Sequence, residues 1–564
     1  MESLRLIKHL VRPGDYMAKL DLTDAYFTIP VHKDDRKYLT FHWRGRFYQF
    51  QCLPFGIATA PRVFTKVMKV PIALLRRRGF RLVVYLDDIL VIARSREMCR
   101  KVLQAAIDLI SSMGFVPNLS KSVLEPTQRI TFLGSGVDST LMVMYLPEDK
   151  VSAIQQMADT LLSTDCPVSA RDLAGIIGKL QATAPSVWHA PLHFRNLQRL
   201  LIRALRTSRG HWEGQVSLTA AARTDLVWWR DQLANANSRP ILAPSADLEV
   251  ESDASGTGWG GFCNGVHTGG RWTERESRAH INVLELQAAS MTVRAFCKDI
   301  ENGHVRVHSD NSTVVAYLNR LGGTRSLALL NATLDLWQWC ADRNLSLSAK
   351  HIAGRENIRA DFCSRHFSVA TEWSLERNTF LSLQATIPLL SQGVDLFASR
   401  TNRQLEQYVS WHPEAEAMGT DAFTLRWNEW ELAYAFPPFK LIPPTLQKVR
   451  EDRAQVILIA PVWDTAVWYP VLLEMVVEEP ILLPQHEHLL IQVESGLPHP
   501  EGSKLQLAAW HVCGDNMRCT AFRQRLAEFY WHHGGQEHNV NIPRPGTSGV
   551  AGAVDGILIP FVLL

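Results

Sequence analysis

An apolar, β-branched run, Leu82-Val83-Val84-Tyr85-Leu86, stops at Asp87 and Asp88 and resumes at Ile89-Leu90-Val91-Ile92. That pattern predicts a β-hairpin with two carboxylates at its tip. Upstream, Lys19-Leu20-Asp21-Leu22 is strand-like, with Asp21 at its centre. Met98 to Met113 has helical spacing and ends at Gly114, a C-cap. Residues 146 to about 240 are mostly helical. Leu248 to Ser255 alternates as a strand, and Gly256 to Gly261 predicts a turn and hairpin. Asn282 to Ala289 reads as a helix with Glu285 near its start, and Val305 to Asn311 as a strand ending at Asp310. His351 to Asp361 leads into a last helix of this region. Glu431–Phe436 and Gln455–Pro461 are strands flanking a helix, which implies a parallel unit. Pro, Gly and Ser gather at 497–503 and 542–549, so 481–564 reads as a linker or tail.

At 564 residues the chain is long enough for several domains, and 46% hydrophobic with 20% charged residues is a globular balance. A net charge of +3 leaves any nucleic-acid affinity to local patches. One such patch is plain: from Leu173 to Trp212 there is no acidic residue, and Arg195, Arg199, Arg203 and Arg206 recur at helical spacing. That face suits a phosphate backbone; the plainer alternative is a solvated charged face. Nine cysteines without paired short spacings point to reduced thiols and an intracellular setting, cytoplasm or nucleus. No apolar run reaches the length of a membrane span. His511, Cys513, Cys519, His532, His533 and His538 match no metal-binding spacing. Oligomeric state is left open.

Adjacent carboxylates such as Asp87 and Asp88 repel, and one pKa rises unless a cation neutralises them. Hard divalent ions do this with oxygen ligands and also bind phosphate. A hairpin with an acidic solvated turn is the plainer alternative. The order of Asp21, then Leu53-Pro54-Phe55-Gly56, then Tyr85-Leu86-Asp87-Asp88 resembles the palm of reverse transcriptases. The resemblance implies that Asp21, Asp87 and Asp88 hold two Mg²⁺ or Mn²⁺ ions for DNA synthesis. It implies that Tyr26 is the steric gate against a 2′-hydroxyl. It sets Lys121, in Asn118-Leu119-Ser120-Lys121, near the incoming triphosphate, although a solvated loop lysine is an equal reading of that residue. In the family the fingers lie upstream; only 20 residues precede Asp21 here, so that half of the nucleotide clamp is expected to be missing.

Asp253, Glu285, Asp310 and Asp361, each at a strand end or helix start, resemble in their order the RNase H fold. The match implies a second pair of divalent ions, cleavage of RNA in an RNA–DNA hybrid, a proton-handling or product-releasing role for His351, and a hydrogen-bonding role toward nucleic acid for Asn357. Val394-Asp395-Leu396-Phe397 and Ala435-Phe436-Pro437-Pro438-Phe439 resemble the phage-type adenine-N6 methyltransferase domain of DIRS-like retrotransposons. Phe436 stands where active members carry a hydrogen-bond acceptor, so methyl transfer from S-adenosylmethionine is not implied. The tyrosine recombinase of such elements is not found.

The expected fold is therefore multidomain α/β and α+β. Residues 1–145 form a palm with a ferredoxin-like antiparallel sheet, and 146–240 a helical thumb and connection. Residues 241–368 form an RNase H-like α/β domain, and 385–480 a parallel methyltransferase-like domain, with 481–564 as tail. The expected partners are an RNA template, a DNA primer, deoxynucleoside triphosphates and an RNA–DNA hybrid. Two alternatives stand beside this: a hybrid-specific ribonuclease that has lost polymerisation, and a non-catalytic nucleic-acid-binding relic.

Overall fold

The computed structural model describes residues 2–163, 166–242, 244–366, 373–492, 496–532 and 547–564. It divides into two compact units, Met1–Ser245 with Arg320–Leu327, and Ala246–Asn319 with Ala328–Leu564.

The first unit is built on β1 (Tyr16–Leu20), α1 (Ala60–Arg77), β2 (Arg81–Tyr85), β3 (Asp88–Ala93), α2 (Arg96–Ser112) and β4 (Val123–Thr127). Its sheet is antiparallel in the order β2-β3-β1-β4. The strand period of two sends alternate side chains to opposite faces. Leu20, Ile89 and Val91 pack with Phe64, Met68 and Ile72 of α1 and Val102, Ala106 and Ile110 of α2. Met17, Val83, Leu90 and Ile92 meet Ile130, Phe132 and Val137 on the other face. The sheet is thus filled on both sides, which fixes its register and the hairpin tip. Ser95 caps α2 by accepting from Met98 N at 3.2 Å, and Gly114 ends it at φ +86°, the predicted stop. Four helices follow, α3 (Glu148–Ser163), α4 (Ala170–Ala182), α5 (Arg195–Thr207) and α6 (Ala220–Asp231), around Leu173, Ile177, Leu197, Leu226 and Trp229.

In the second unit a five-stranded sheet runs β7-β6-β5-β8-β9, from β5 (Leu248–Ala254), β6 (Gly258–Cys263), β7 (Val266–Arg271), β8 (Gly303–Ser309) and β9 (Leu345–His351). The pairs within β5-β6-β7 are antiparallel; β5/β8 and β8/β9 are parallel. Helices α7 (Ile281–Phe296) and α8 (Ile358–Arg365) belong to this half.

The C-terminal half departs from the sequence expectation in two ways. Strands β10 (Val394–Asp395), β11 (Gln407–Ser410), β12 (Gly419–Thr420) and β13 (Ala433–Ala435), helix α9 (Ile442–Asp452) and strand β14 (Gln455–Pro461) form the parallel part. The sheet continues through β15 (Ile481–Leu482), β16 (Leu507–Cys513), β17 (Thr547–Val554) and β18 (Ile557–Leu563), with β16 antiparallel to β14. It is a mixed nine-stranded sheet, order β12-β11-β10-β13-β14-β16-β15-β18-β17, and not a parallel one. Nor is 481–564 a linker: Trp510 is fully buried, and Val512, Phe522, Ile559 and Phe561 enter the same core as Val456 and Leu458. The Pro- and Gly-rich stretch at 497–503 lies between two strands, and the described end of the second, 547–549, opens β17, so turn composition masked the strands. Residues 533–546, with His533, His538 and much of the second Pro/Gly tract, lie outside those described. Arg400 ties this domain to the preceding one by ion-pairing with Glu276 at 3.0 Å.

A chain ending at residue 480 should therefore lose the C-terminal domain, because β14 would be left without its β16 partner. Limited proteolysis should show rapid digestion of residues 373–480 in that truncation, and protection of the same segment in the full chain.

Candidate active sites

Four of the predicted carboxylates were expected to converge in the second unit, and three do. Ligand oxygens of Asp253, Glu285 and Asp310 lie within 4.8 Å of one another. The parallel register explains the first and third. Glu251 pairs with His308 across β5 and β8; two residues on stand Asp253, within β5, and Asp310, just past the end of β8. Glu285, in the second turn of α7, supplies the other carboxylate. Asp253 and Glu285 are only 4% and 7% exposed.

Helix α8 braces this cluster, and a glycine lets it approach. A Cβ on Gly260, the β6 partner of Asp253, would stand 2.3 Å from the Ala360 carbonyl and 2.5 Å from Ser364 N. With α8 seated there, Ser364 Oγ donates to Asp253 Oδ2 at 2.7 Å. Asn357 Nδ2 donates to the Ser252 carbonyl at 3.1 Å and lies 3.4 Å from Asp253 Oδ1. Asn357 is fully buried, so it orients Asp253 and does not reach nucleic acid as the resemblance implied. Asp361 does not join the cluster: its Oδ1 pairs with Arg365 Nε at 2.7 Å, one helical turn on. His351 ends β9 on an exposed position and takes no part in the cluster. Ser364 is the supporting residue that the sequence did not single out; a serine one turn after Asp361 carries no signal by itself.

The electrostatics follow from burial of like charges. Desolvation, with Asp253 and Asp310 adding, pushes the Glu285 carboxyl up to about 8. Desolvation likewise raises Asp253 to about 6, opposed by the Ser364 hydrogen bond. Glu285 Oε2 is buried and accepts no hydrogen bond among the described residues. An orphaned carboxylate oxygen beside two more acids fits a divalent cation with oxygen ligands.

In the first unit, β2 and β3 form the predicted hairpin, Tyr85 opposite Asp88. Leu86, at the turn, adopts φ +54°, a strained conformation for a branched residue. Asp87 stands exposed at the tip. Its carboxyl is raised by desolvation, with Asp88 and Asp21 adding, while its backbone hydrogen bond and Lys19 pull the other way. Asp21 follows β1, and its backbone is pinned to the loop at 118–122: Asp21 N donates to Ser122 Oγ at 3.0 Å, and Asn118 N donates to the Asp21 carbonyl at 2.8 Å. That loop carries Lys121 on an exposed position. Tyr26 sits edge-on to Phe55 and Phe64, 5.0 and 5.2 Å between centroids. Its phenol is raised by desolvation and by Asp87, which sets it near the hairpin tip. Asp88 is engaged by a residue outside the predicted set: its Oδ1 lies 2.8 Å from Lys19 Nζ.

The arginine face of α5 divides in two. Arg195 donates to the Arg320 carbonyl at 2.7 Å and Arg199 to the Thr324 carbonyl at 3.1 Å, so both anchor the 320–327 segment of this unit. Each thus gives a donor to a carbonyl that is exposed or half-exposed, which ties part of the predicted phosphate face to this segment. Arg203 and Arg206 stay exposed. In the C-terminal domain Phe436 is half-buried, its ring 6.4 Å from Phe439.

The raised carboxyls have a pH signature. Glu285 at about 8, against 4.5 for an ordinary glutamate, makes the folded chain bind more protons than the unfolded one in between. Stability without divalent ions should therefore fall as pH rises from about 4.5 to about 8. Saturating Mg²⁺ should flatten that slope, because metal replaces the proton. Denaturant midpoints of the second unit at pH 5, 6.5 and 8, with and without Mg²⁺, check both statements.

The family model described as reverse transcriptase (RNA-dependent DNA polymerase) matches residues 3–137. The genome polyprotein of Petunia vein clearing virus (isolate Shepherd) is 25% identical over 375 residues, 64% of this chain and 16% of that protein. The enzymatic polyprotein of Cauliflower mosaic virus (strain Strasbourg) is 21% identical over 376 residues, 64% of this chain and 51% of that protein. The chain thus spans about half, or much less, of these relatives' length. Among solved structures, the foamy viral protease-reverse transcriptase in complex with RNA/DNA hybrid is matched at 19% identity and TM-score 0.39, over 62% of this chain and 46% of that one. Both carboxylate groups lie on a mixed α/β framework, and Asp21, Asp87 and Asp88 fall within the matched span. The chain therefore carries, at residues 3–137, a reverse transcriptase domain of the kind found in retroelement-type polyproteins.

Proposed function

We propose that the chain is an RNA-directed DNA polymerase that also cleaves the RNA strand of RNA–DNA hybrids, in an element of the DIRS-like type. The observation that carries the second activity is the convergence of Asp253, Glu285 and Asp310 within 4.8 Å, buried and with an orphaned oxygen. Each of the two sites would hold divalent ions, at Asp253, Glu285 and Asp310 and at Asp21 and Asp87 with Asp88; such ions activate the attacking oxygen and stabilise the leaving one. The residues of the chain do the positioning. Ser364 and Asn357 fix the orientation of Asp253, and Arg365 holds the charge of Asp361 beside the cluster. Asp361 reaches the ions on rotating away from Arg365, at the small cost of a half-exposed ion pair.

At the palm, Tyr26 stands against the sugar of the incoming nucleotide, and Lys121 faces its triphosphate. Arg203 and Arg206 are the members of the α5 face available to a phosphate backbone. The C-terminal domain serves binding or scaffolding, as Phe436 offers no acceptor to a target amine. RNA template, DNA primer, hybrid and deoxynucleoside triphosphates are the partners of this reading. The helices of the described residues include none long and apolar enough to cross a membrane.

Two substitutions separate the activities. Asp310→Asn should lower cleavage of a labelled hybrid by about a hundred-fold or more and leave primer extension on a polyribonucleotide template intact. Asp87→Asn should do the reverse. Unchanged cleavage in Asp310→Asn would refute the ribonuclease assignment. Absence of extension by the unaltered chain, with cleavage retained, would leave it a ribonuclease alone.

A further inference from the structure

The two carboxylate groups differ in a way that the resemblance does not supply. In the Asp253 centre three carboxylates lie together, and the nearby Arg365 guanidinium pairs with Asp361 and acts on Asp253 only through its field. Among the described residues no other three acidic, histidine or cysteine groups approach so closely, so Asp21, Asp87 and Asp88 stand further apart. Here Lys19 intervenes. It is opposite Leu90 in the β1/β3 register, two residues along from Asp88, so its side chain and that of Asp88 share one face of the sheet. Lys19 Nζ reaches Asp88 Oδ1 at 2.8 Å, and no hydrogen bond from another described group reaches that oxygen. The pair is sheltered, 19% and 22% exposed, so solvent screens it only in part. The same ammonium also acts on Asp87.

We propose that Lys19 is a positioning residue of the polymerase site: it holds Asp88 in an internal ion pair that an incoming divalent ion must displace. The proposal rests on the reading of Asp21, Asp87 and Asp88 as metal ligands. Two consequences follow. The chain meets the charge repulsion of the palm with a resident cation, so its fold there does not depend on metal. The palm's affinity for its ions is also set by the competition between one ammonium and one divalent ion for Asp88. The sheet holds the competitor in place, since Lys19 cannot leave the face it shares with Asp88 without breaking the β1/β3 register.

The test is Mn²⁺ binding, followed by electron paramagnetic resonance of the free ion, on the full chain carrying Asp310→Asn to weaken the second centre. In that background Lys19→Met should tighten Mn²⁺ binding by about five-fold or more, as loss of one nearby positive charge demands. Lys19→Arg, which keeps the charge, should bind as the unaltered palm does. With Asp88→Asn also present, Lys19→Met should give a clearly smaller gain, because the ion pair is already gone and only the ammonium's field at Asp87 remains. Weaker or unchanged binding in Lys19→Met, or the same gain with Asp88→Asn present, overturns the proposal. Should Lys19→Met unfold the first unit, Lys19→Gln takes its place with the same expectations. Asp87→Asn distinguishes the two readings: if it abolishes Mn²⁺ binding while Lys19→Met leaves it unchanged, the ion pair is refuted and the metal site stands. If Asp87→Asn leaves binding intact, the metal reading itself fails.

Discussion

Like charges cannot be gathered in a shielded place without something to neutralise them, and this constraint shapes both sites. The second unit meets it with protons: Glu285 is pushed up to about 8 and Asp253 to about 6, so the cluster carries less charge at neutral pH than three carboxylates would. The first unit meets it with an ammonium, Lys19, on Asp88. Asp361 follows the second pattern, held by Arg365 at the edge of the cluster. Proton and ammonium are both exchangeable for a divalent ion. On the proposed reading the chain is folded and neutralised before metal arrives, and the two centres differ in what metal displaces.

The scaffold makes these gatherings possible by spending backbone geometry on them. Parallel register brings Asp253 and Asp310 together, and the absent side chain of Gly260 admits α8 with Ser364 and Asn357. At the palm, a sheet packed on both faces leaves Leu86 to absorb a positive φ at the turn that carries Asp87. In each case an irregular element is held by regular ones, which keeps side chains within reach of one geometry. The C-terminal domain adds a nine-stranded sheet joined to the same unit through Arg400 and Glu276.

Much of this was legible in the chain, for reasons that differ by residue. The hairpin and the helix at 96–112 followed from period and punctuation, which are local. Asp253, Glu285 and Asp310 were implied by a resemblance to the RNase H fold, carried by their order at strand ends and a helix start. Asn357 was named for the wrong task, because burial of a polar side chain depends on a packing partner that sequence does not display. Arg195 and Arg199 were read as phosphate ligands, and helical spacing gave no sign that each also gives a donor to a carbonyl 125 residues away. Lys19 was in view beside Asp21, yet its pairing with Asp88 is a cross-strand fact that only register reveals. The strands after residue 480 were hidden by turn residues, and by core strands such as 507–513 that are buried on both faces and so show no alternation.

The central claim is that two separated carboxylate groups bind divalent ions. Anomalous scattering from crystals of the full chain grown with Mn²⁺ measures it most directly. Mn²⁺ peaks are expected among Asp253, Glu285 and Asp310 and between Asp21 and Asp87, with Lys19 drawn off Asp88. Crystals saturated with Mn²⁺ that show no peak among Asp253, Glu285 and Asp310 would contradict it.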